Sequence, residues 1–230
     1  MNRQTQHVLL ALLGGALLRI AADDTFLRYV RPGHRPLLVA AGIVMVALAA
    51  VGTIRDLRER APAHDHGGAE RFAPWLLLLP VLAMAVVAPP ALGADAVTRA
   101  GQVDAAAIAL PPLPANPVVE LGMAEFVQRA VWDTGGTLAG RDVLLTGFAV
   151  PRDGGLELAR LTIRCCAADA RVHRIRLDGA PLFVAPGVAA DTWLRVQGRL
   201  RPGPRPPDGV PTIEVSRVDE VAPPRDPYEY

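Results

Sequence analysis

Apolar and polar positions are distributed differently in the two halves of the chain. The first half holds three long apolar stretches, residues 7–22, 37–54 and 72–94, which are separated by two charged loops. A helix needs about 20 apolar residues to cross the roughly 30 Å hydrocarbon core of a bilayer. The pattern therefore predicts a membrane region of about three transmembrane helices over residues 1–95.

The first apolar stretch carries a charge near its end. Arg19 lies there, where a long side chain can extend its guanidinium to the membrane interface. The alternative is that Arg19, with Asp23 and Asp24, contacts a partner helix, since charge within a membrane is stable only when it is paired. A cleaved signal peptide would need a small-residue cleavage site before Asp23, and no clear one is present. We interpret the stretch as an uncleaved helix.

Arginines near the helix ends favour one orientation by a small margin. The N-terminus and second loop hold Arg3, Arg55, Arg58, Arg60 and Arg71, and the opposite side holds Arg28, Arg31, Arg35 and Arg99. Basic residues favour the cytoplasmic side of a membrane. The sequence thus predicts a multi-pass protein of the cell membrane whose C-terminal domain lies on the extracytoplasmic side.

The second half of the chain has the patterns of a small mainly-β domain. An Ala- and Pro-rich linker is predicted over residues 96–118, and residues 120–132 have one apolar helical face. The predicted strands are residues 142–150, 156–164, 172–177, 192–200 and 212–221. Five short strands over residues 119–222 favour a barrel like the oligonucleotide/oligosaccharide-binding (OB) fold, and a β-sandwich fragment is the second choice. A Pro-rich tail, residues 223–230, is predicted to be extended.

Charge and motifs exclude several classes of function. The net charge of the chain is +1, and its acidic residues outnumber its arginines after residue 99. A nucleic-acid surface needs a basic stripe, so we predict no nucleic-acid partner. No nucleotide-binding loop, Ser-His-Asp set or supported pair of carboxylates occurs in the sequence. Enzymatic activity is not expected.

The two cysteines of the chain are neighbours, Cys165 and Cys166. Adjacent residues of a strand point to opposite faces, but a bulge or strand end would let both thiols bind one metal. Asp169 and His173 are close enough in sequence to complete a sulfur, oxygen and nitrogen ligand set for a transition metal such as zinc. The simplest interpretation is that one cysteine packs as a small apolar residue. Metal binding and thiol redox chemistry are the functional alternatives.

A second potential ligand set lies in the loop after the second apolar stretch. His64 and His66 are two residues apart, so they could chelate a metal from an extended loop. A solvated charged loop is the ordinary interpretation. If residues 72–94 span the membrane, these histidines lie on the opposite side from the cysteines and cannot share their site.

The cysteine segment, RLTIRCCAADA at residues 160–170, is similar to the YcgQ-like family of permease subunits. The order of hydrophobic helices followed by a β domain agrees with this resemblance. Residues of two predicted strands also agree with it, namely Gly147, Phe148, Asp191, Thr192, Trp193, Val196 and Gly198. The resemblance covers most of the chain, although the loop after the second helix is compact. It implies a membrane protein that works beside a larger multi-span permease.

Two functional hypotheses follow from the sequence. The first is an auxiliary permease subunit, anchored in the lipid bilayer, whose β domain senses, gates or delivers the substrate of a larger partner. Three helices without an internal repeat make a poor transporter by themselves. The alternative is a membrane-tethered metal-binding or thiol redox domain that acts alone through Cys165 and Cys166.

Overall fold

The computed structural model divides the chain into two compact units, Met1–Pro90 and Ala91–Tyr230. The structure describes residues 3–59, 78–87, 90–99, 110–152, 155–179, 187–204 and 206–230. Each unit is described by itself.

The described residues of the N-terminal unit form helices that are joined by short turns. Its helices are α1 (Arg3–Ala22), α2 (Arg35–Glu59) and α3 (Leu78–Val87), with 3₁₀ turns at Thr25–Arg28 and Pro32–His34. Among the described residues, two segments are long and apolar enough to cross a membrane, Arg3–Ala22 with a mean hydropathy of 1.4 and Pro32–Arg58 with one of 2.6. Of the third predicted span, residues 72–94, helix α3 covers Leu78–Val87 and residues 72–77 and 88–89 lie outside the described residues. Its end is predicted too far along the chain, because residues 91–94 belong to the C-terminal unit.

Small residues line the contact between α1 and α2, and large apolar residues face outward. A Cβ added at Gly14 would lie 2.8 Å from the Gly42 carbonyl oxygen, so the two backbones approach closely. Leu37 and Leu48, by contrast, have 66% and 57% of their surface exposed. This distribution is typical of membrane helices, which pack through small side chains and expose large ones to lipid.

Replacing Gly14 with valine is expected to loosen the α1–α2 pair. The added atoms would collide with the backbone of α2, and overpacking of this kind costs about 1–3 kcal/mol. Gly15 provides the control, since a Cβ there has nothing within 4 Å. Thermal unfolding in mild detergent should show a lower midpoint for Gly14→Val than for Gly15→Val. Equal midpoints would show that the close approach does not stabilise the pair.

The C-terminal unit combines two short helices with seven strands among its described residues. The helices are α4 (Ala94–Arg99) and α5 (Met123–Trp132). The strands are β1 (Val118–Glu120), β2 (Asp142–Arg152), β3 (Gly155–Thr162), β4 (Arg171–Asp178), β5 (Trp193–Leu200), β6 (Thr212–Glu220) and β7 (Tyr228–Glu229). The five predicted strands are therefore confirmed within two residues at each end, and β1 and β7 were not predicted.

The five longer strands pair in a closed order. Strand β2 pairs with β3 and β5, β5 with β6, β6 with β4, and β4 with β3. The β4–β6 pair is parallel and the others are antiparallel. Gly147 permits the close approach of β2 and β3, because a Cβ there would lie 2.5 Å from the Ala159 carbonyl oxygen. Each longer strand thus has two neighbours among these five, and the short strands β1 and β7 pair in addition with β2 and β3.

Two apolar clusters form on opposite faces of these strands. The first cluster packs α5 on the strands and includes Phe126, Leu145, Leu158, Ile175 and Val196. The second includes Phe148, Ala159, Leu161, Ile163, Val172, Trp193, Tyr228 and, from α4, Ala94 and Val97. Neighbouring residues such as Leu158 and Ala159 belong to different clusters, as the alternation of a strand requires. The sheet is therefore buried on both faces over part of its length.

Two segments differ from their predicted roles. The linker predicted over residues 96–118 begins within α4, where Val97 is fully buried, and it ends in β1. The tail over residues 223–230 contains β7, which pairs in parallel with β3, and Tyr228 is only 3% exposed. The elements in these segments, α4, β1 and β7, are too short for an apolar period to show, and their burial depends on distant strands. These elements are parts of the folded domain.

Candidate cation site

The two cysteines lie in the connection between β3 and β4. Strand β3 ends at Thr162, a 3₁₀ turn covers Ala167–Asp169, and β4 begins at Arg171. Cys165 is exposed, Cys166 is partly buried, and neither forms a disulfide. Because both residues follow the end of the strand, their side chains are not forced to opposite faces of the sheet. The sequence predicts that both thiols can act together only at a bulge or a strand end, and the structure places them after a strand end.

The carboxylate of Asp169 organises this connection. Its two oxygens accept hydrogen bonds from the backbone N–H groups of Arg164 at 2.8 Å and Cys165 at 2.9 Å. The backbone N–H of Asp169 in turn donates to the Cys166 carbonyl oxygen at 3.0 Å. The loop is closed by its own polar groups, which holds the carboxylate beside the thiols. We call residues 164–169 the cation loop.

Three ligand atoms meet in the cation loop. The Sγ atoms of Cys165 and Cys166 are 3.5 Å apart. With one carboxylate oxygen of Asp169 they form a set whose members all lie within 4.8 Å of one another. Within the part of the chain that the structure describes, this is the one group of three or more metal-ligating side chains at such distances. Sulfur and carboxylate oxygen are both ligands of zinc.

The electrostatics of the cation loop favour a bound cation. Hydrogen bonds to the Cys165 side chain and to loop backbone N–H groups lower the pKa of Asp169 to about 2. The same carboxylate, and then the Cys166 side chain, raise the pKa of Cys165 to about 11. Near neutral pH the carboxylate is therefore ionised and the Cys165 thiol is protonated. A cation would stabilise the thiolate that the negative surroundings disfavour.

His173, the fourth ligand predicted from the sequence, is not part of this group. It lies in β4 opposite Arg160, and its Nε2 is 3.1 Å from the Thr162 hydroxyl oxygen. Burial and then the charge of Arg171 lower its pKa to about 4, so the ring is neutral near pH 7. Its ring packs within the sheet, and the cation loop offers two sulfurs and one carboxylate.

The other predicted site residues lie in the N-terminal unit or outside the described residues. Arg19 Nε is 4.0 Å from a carboxylate oxygen of Asp23, and Asp24 pairs with Arg35 at 3.4 Å. These pairs join α1, the following turn and the start of α2. His64 and His66 lie outside the described residues.

An asparagine at position 169 is expected to speed alkylation of Cys165. Asp169 is the largest cause of the raised thiol pKa, so Asp169→Asn should lower that pKa from about 11 toward the ordinary value of 9.0. The thiolate fraction near pH 8 would rise by at most about 100-fold, and weaker intrinsic nucleophilicity would limit the net rate gain to at most roughly tenfold.

This rate is measured with iodoacetamide in a Cys166→Ala background, with and without Asp169→Asn. Glu214→Gln serves as the control, because it removes an exposed carboxylate elsewhere on the domain. An unchanged or slower rate in the Asp169→Asn chain would contradict the assignment of Asp169 as the group that suppresses ionisation.

Comparison with known proteins gives one match. Residues 126–230 match the model of the DUF1980 C-terminal domain, a domain of unknown function. The match covers β2 to β7 and the whole cation loop, and it agrees with the resemblance to the YcgQ-like family. No curated protein and no solved structure matches the chain.

Proposed function

We propose that the protein is a membrane-anchored auxiliary subunit of a permease whose β domain binds a thiophilic divalent cation, such as zinc, and delivers it to its partner. The observation that carries this proposal is the meeting of two thiol sulfurs and a carboxylate oxygen within 4.8 Å on an accessible loop. The cation loop is the binding site, and Cys165, Cys166 and Asp169 are its ligands.

The spacing of the sulfurs supports a tetrahedral metal. Zinc with Zn–S bonds of about 2.3 Å holds two sulfurs about 3.8 Å apart in tetrahedral geometry. A linear two-thiolate complex with the same bond length would need about 4.6 Å. The Sγ atoms of Cys165 and Cys166 are 3.5 Å apart, which is closer to the tetrahedral value.

Three protein ligands leave one position of a tetrahedral ion for another group. Structural zinc sites are closed by four protein ligands, whereas open sites hold three and exchange the fourth. Cys165 is exposed, so an incoming ligand can approach the ion from solvent. This arrangement suits a subunit that gives its cation to a partner and does not retain it for stability.

The proposal includes the architecture expected from the sequence. The chain crosses the cell membrane three times, through α1, α2 and a third segment that lies between residue 72 and the start of the C-terminal unit at Ala91, and its C-terminal domain lies on the extracytoplasmic side. That domain is an OB-like barrel, which is supported by the closed order of the five longer strands and the parallel β4–β6 pair. Three helices provide too little protein for a transport pathway, so the pathway belongs to a larger multi-span partner.

Thiol redox chemistry is less well supported by the same site. A reactive cysteine normally has a lowered pKa, because the thiolate is the nucleophile. At Cys165 the carboxylate of Asp169 raises the pKa to about 11, which keeps the thiol protonated near neutral pH. The loop is thus better suited to a cation than to thiol exchange, and we assign the chain no enzymatic reaction.

The test is purification of the full-length chain from its native membrane in mild detergent, with measurement of its zinc content and of proteins present in equal amount. We expect one zinc per chain and a co-purifying multi-span permease. Zinc without a permease would replace the proposal by a stand-alone metal-binding domain. A permease without zinc would overturn the cation site, and absence of both would overturn the whole proposal.

A further inference from the structure

The C-terminal strand β7 contacts three otherwise separate parts of the C-terminal unit. It pairs in parallel with the end of β3, where Leu161 lies opposite Tyr228 and Thr162 lies opposite Glu229. The carbonyl oxygen of Glu229 accepts a hydrogen bond from the backbone N–H of Ile163 at 3.1 Å. Ile163 directly precedes the cation loop. Strand β7 therefore fixes the backbone from which that loop leaves the sheet.

The side chain of Glu229 holds a second part of the unit. Its two carboxylate oxygens accept hydrogen bonds from the backbone N–H groups of Met123 at 2.9 Å and Ala124 at 3.1 Å, at the first turn of α5. These N–H groups have no partner within the helix, and a negative charge there is favourable. Helix α5 packs on the first apolar cluster. The position of β7 is thus tied to the main core of the domain.

The side chain of Tyr228 holds the third part. Its hydroxyl oxygen accepts a hydrogen bond from the backbone N–H of Leu92 at 3.1 Å, and its ring is 3% exposed in the second apolar cluster. We call residues 91–99, with which the C-terminal unit begins, the docking segment. A second hydrogen bond holds the docking segment: the backbone N–H of Ala94 donates to the carboxylate of Asp191 at 2.6 Å.

The second apolar cluster connects the docking segment with both ends of the cation loop. Val97 of the docking segment is fully buried there, as are Ile163 before the loop and Val172 after it. Ala170, which follows Asp169, packs against the same cluster. A displacement of the docking segment or of β7 would therefore change the packing on which the loop ends rest.

We propose that Tyr228 and Glu229 are positioning residues of the cation loop, and that they couple its geometry to the docking segment. The proposal rests on the proposed function for the identity of the cation, but the positioning itself is independent of any metal. In the chain, the docking segment is the connection from the β domain to the apolar region. Cation binding at the loop and docking of this segment therefore stabilise each other.

The test compares three variants in detergent. One ends after Pro227, which removes β7. Tyr228→Phe removes only the hydroxyl that accepts from Leu92. Tyr230→Phe is the matched control, because it removes a tyrosine hydroxyl that donates to Asp226 and leaves the Asp226 carboxylate that accepts from the Tyr228 N–H in place. Three quantities are measured for each: the pH profile of Cys165 alkylation in a Cys166→Ala background, zinc affinity with both cysteines present, and hydrogen exchange at residues 92–97.

The truncated chain should alkylate Cys165 at lower pH, because Ile163 loses its hydrogen bond to Glu229 and the following N–H groups of Arg164 and Cys165, which hold the Asp169 carboxylate, are no longer fixed in position. Its zinc affinity should fall about tenfold, in the range found when a group that orients a metal ligand is lost. Tyr228→Phe should shift the alkylation profile and the zinc affinity in the same directions by smaller amounts. It should also speed exchange at residues 92–97 and reduce the additional protection that zinc gives them, whereas Tyr230→Phe should match the unmodified chain.

The outcomes separate the two proposals. Wild-type alkylation profiles and zinc affinities in both β7 variants would overturn the positioning role, and if the truncated chain fails to fold, Tyr228→Phe decides. Unchanged exchange at residues 92–97 on zinc binding to the unmodified chain would overturn the coupling. A shifted alkylation profile in a protein that binds no zinc would support the positioning role and overturn the proposed function.

Discussion

Replacing Cys165 with serine is expected to weaken zinc binding by at least about 100-fold, because a thiolate is lost from a three-ligand site and a hydroxyl is a much poorer zinc ligand. The two sulfurs lie 3.5 Å apart, and in the proposed site they would share the ion with Asp169. Cys166→Ser should have a similar effect, and the double variant should bind no zinc at stoichiometric concentrations. Affinity is measured by competition with a chromophoric chelator.

The matched control is Ala167→Ser, which introduces the same hydroxyl into the cation loop without removing a ligand. Its affinity should equal that of the unmodified chain. The loss in Cys165→Ser should also depend on pH. Since the pKa of Cys165 is raised to about 11, zinc must displace its proton at all lower pH values, and affinity should rise about tenfold per pH unit through this group. A Cys165→Ser chain that kept both the affinity and this slope would rule out Cys165 as a ligand.

Much of the fold follows from local patterns in the sequence. The alternation of residues such as Trp193, Leu194 and Val196 predicts a half-buried strand, and the structure has β5 there. The helix predicted over residues 120–132 is present as α5. Strands β1 and β7 were not predicted, because segments of three and two residues are too short for a periodic pattern. They exist because β2 and β3 provide pairing edges that are distant in sequence.

In the candidate site, too, local sequence indicates some residues, whereas other contacts depend on the fold. Cys165, Cys166 and Asp169 lie within five residues of one another, so the sequence indicates the cluster directly. His173 follows Asp169 by four residues, but it lies in β4, which places it within the sheet, and proximity along the chain does not predict that change. Tyr228 acts on Leu92 across 136 positions. No local signal marks such a contact, since it depends on how the strands pair.

Replacing Val97 with aspartate is expected to release the docking segment from the β domain. Val97 is fully buried in the second apolar cluster, and an unpaired carboxylate there would cost several kcal/mol if the segment stayed docked. Undocking costs less, because it gives up the burial of a few small apolar side chains, about 2–3 kcal/mol at roughly 25 cal/mol per Å². The segment should therefore leave, and the first apolar cluster with α5 should remain folded.

Hydrogen exchange and thermal unfolding of the full-length chain distinguish this local effect from global unfolding. Leu92 and Ala94 should lose protection, because their N–H groups are the ones held by Tyr228 and Asp191. Strands β2 and β5 should keep theirs, with a modest fall in the unfolding midpoint. Thr98→Asp is the control, since Thr98 is exposed on the same helix and should change neither quantity. Full protection of Leu92 in the Val97→Asp chain would show that burial of Val97 does not hold the segment in place.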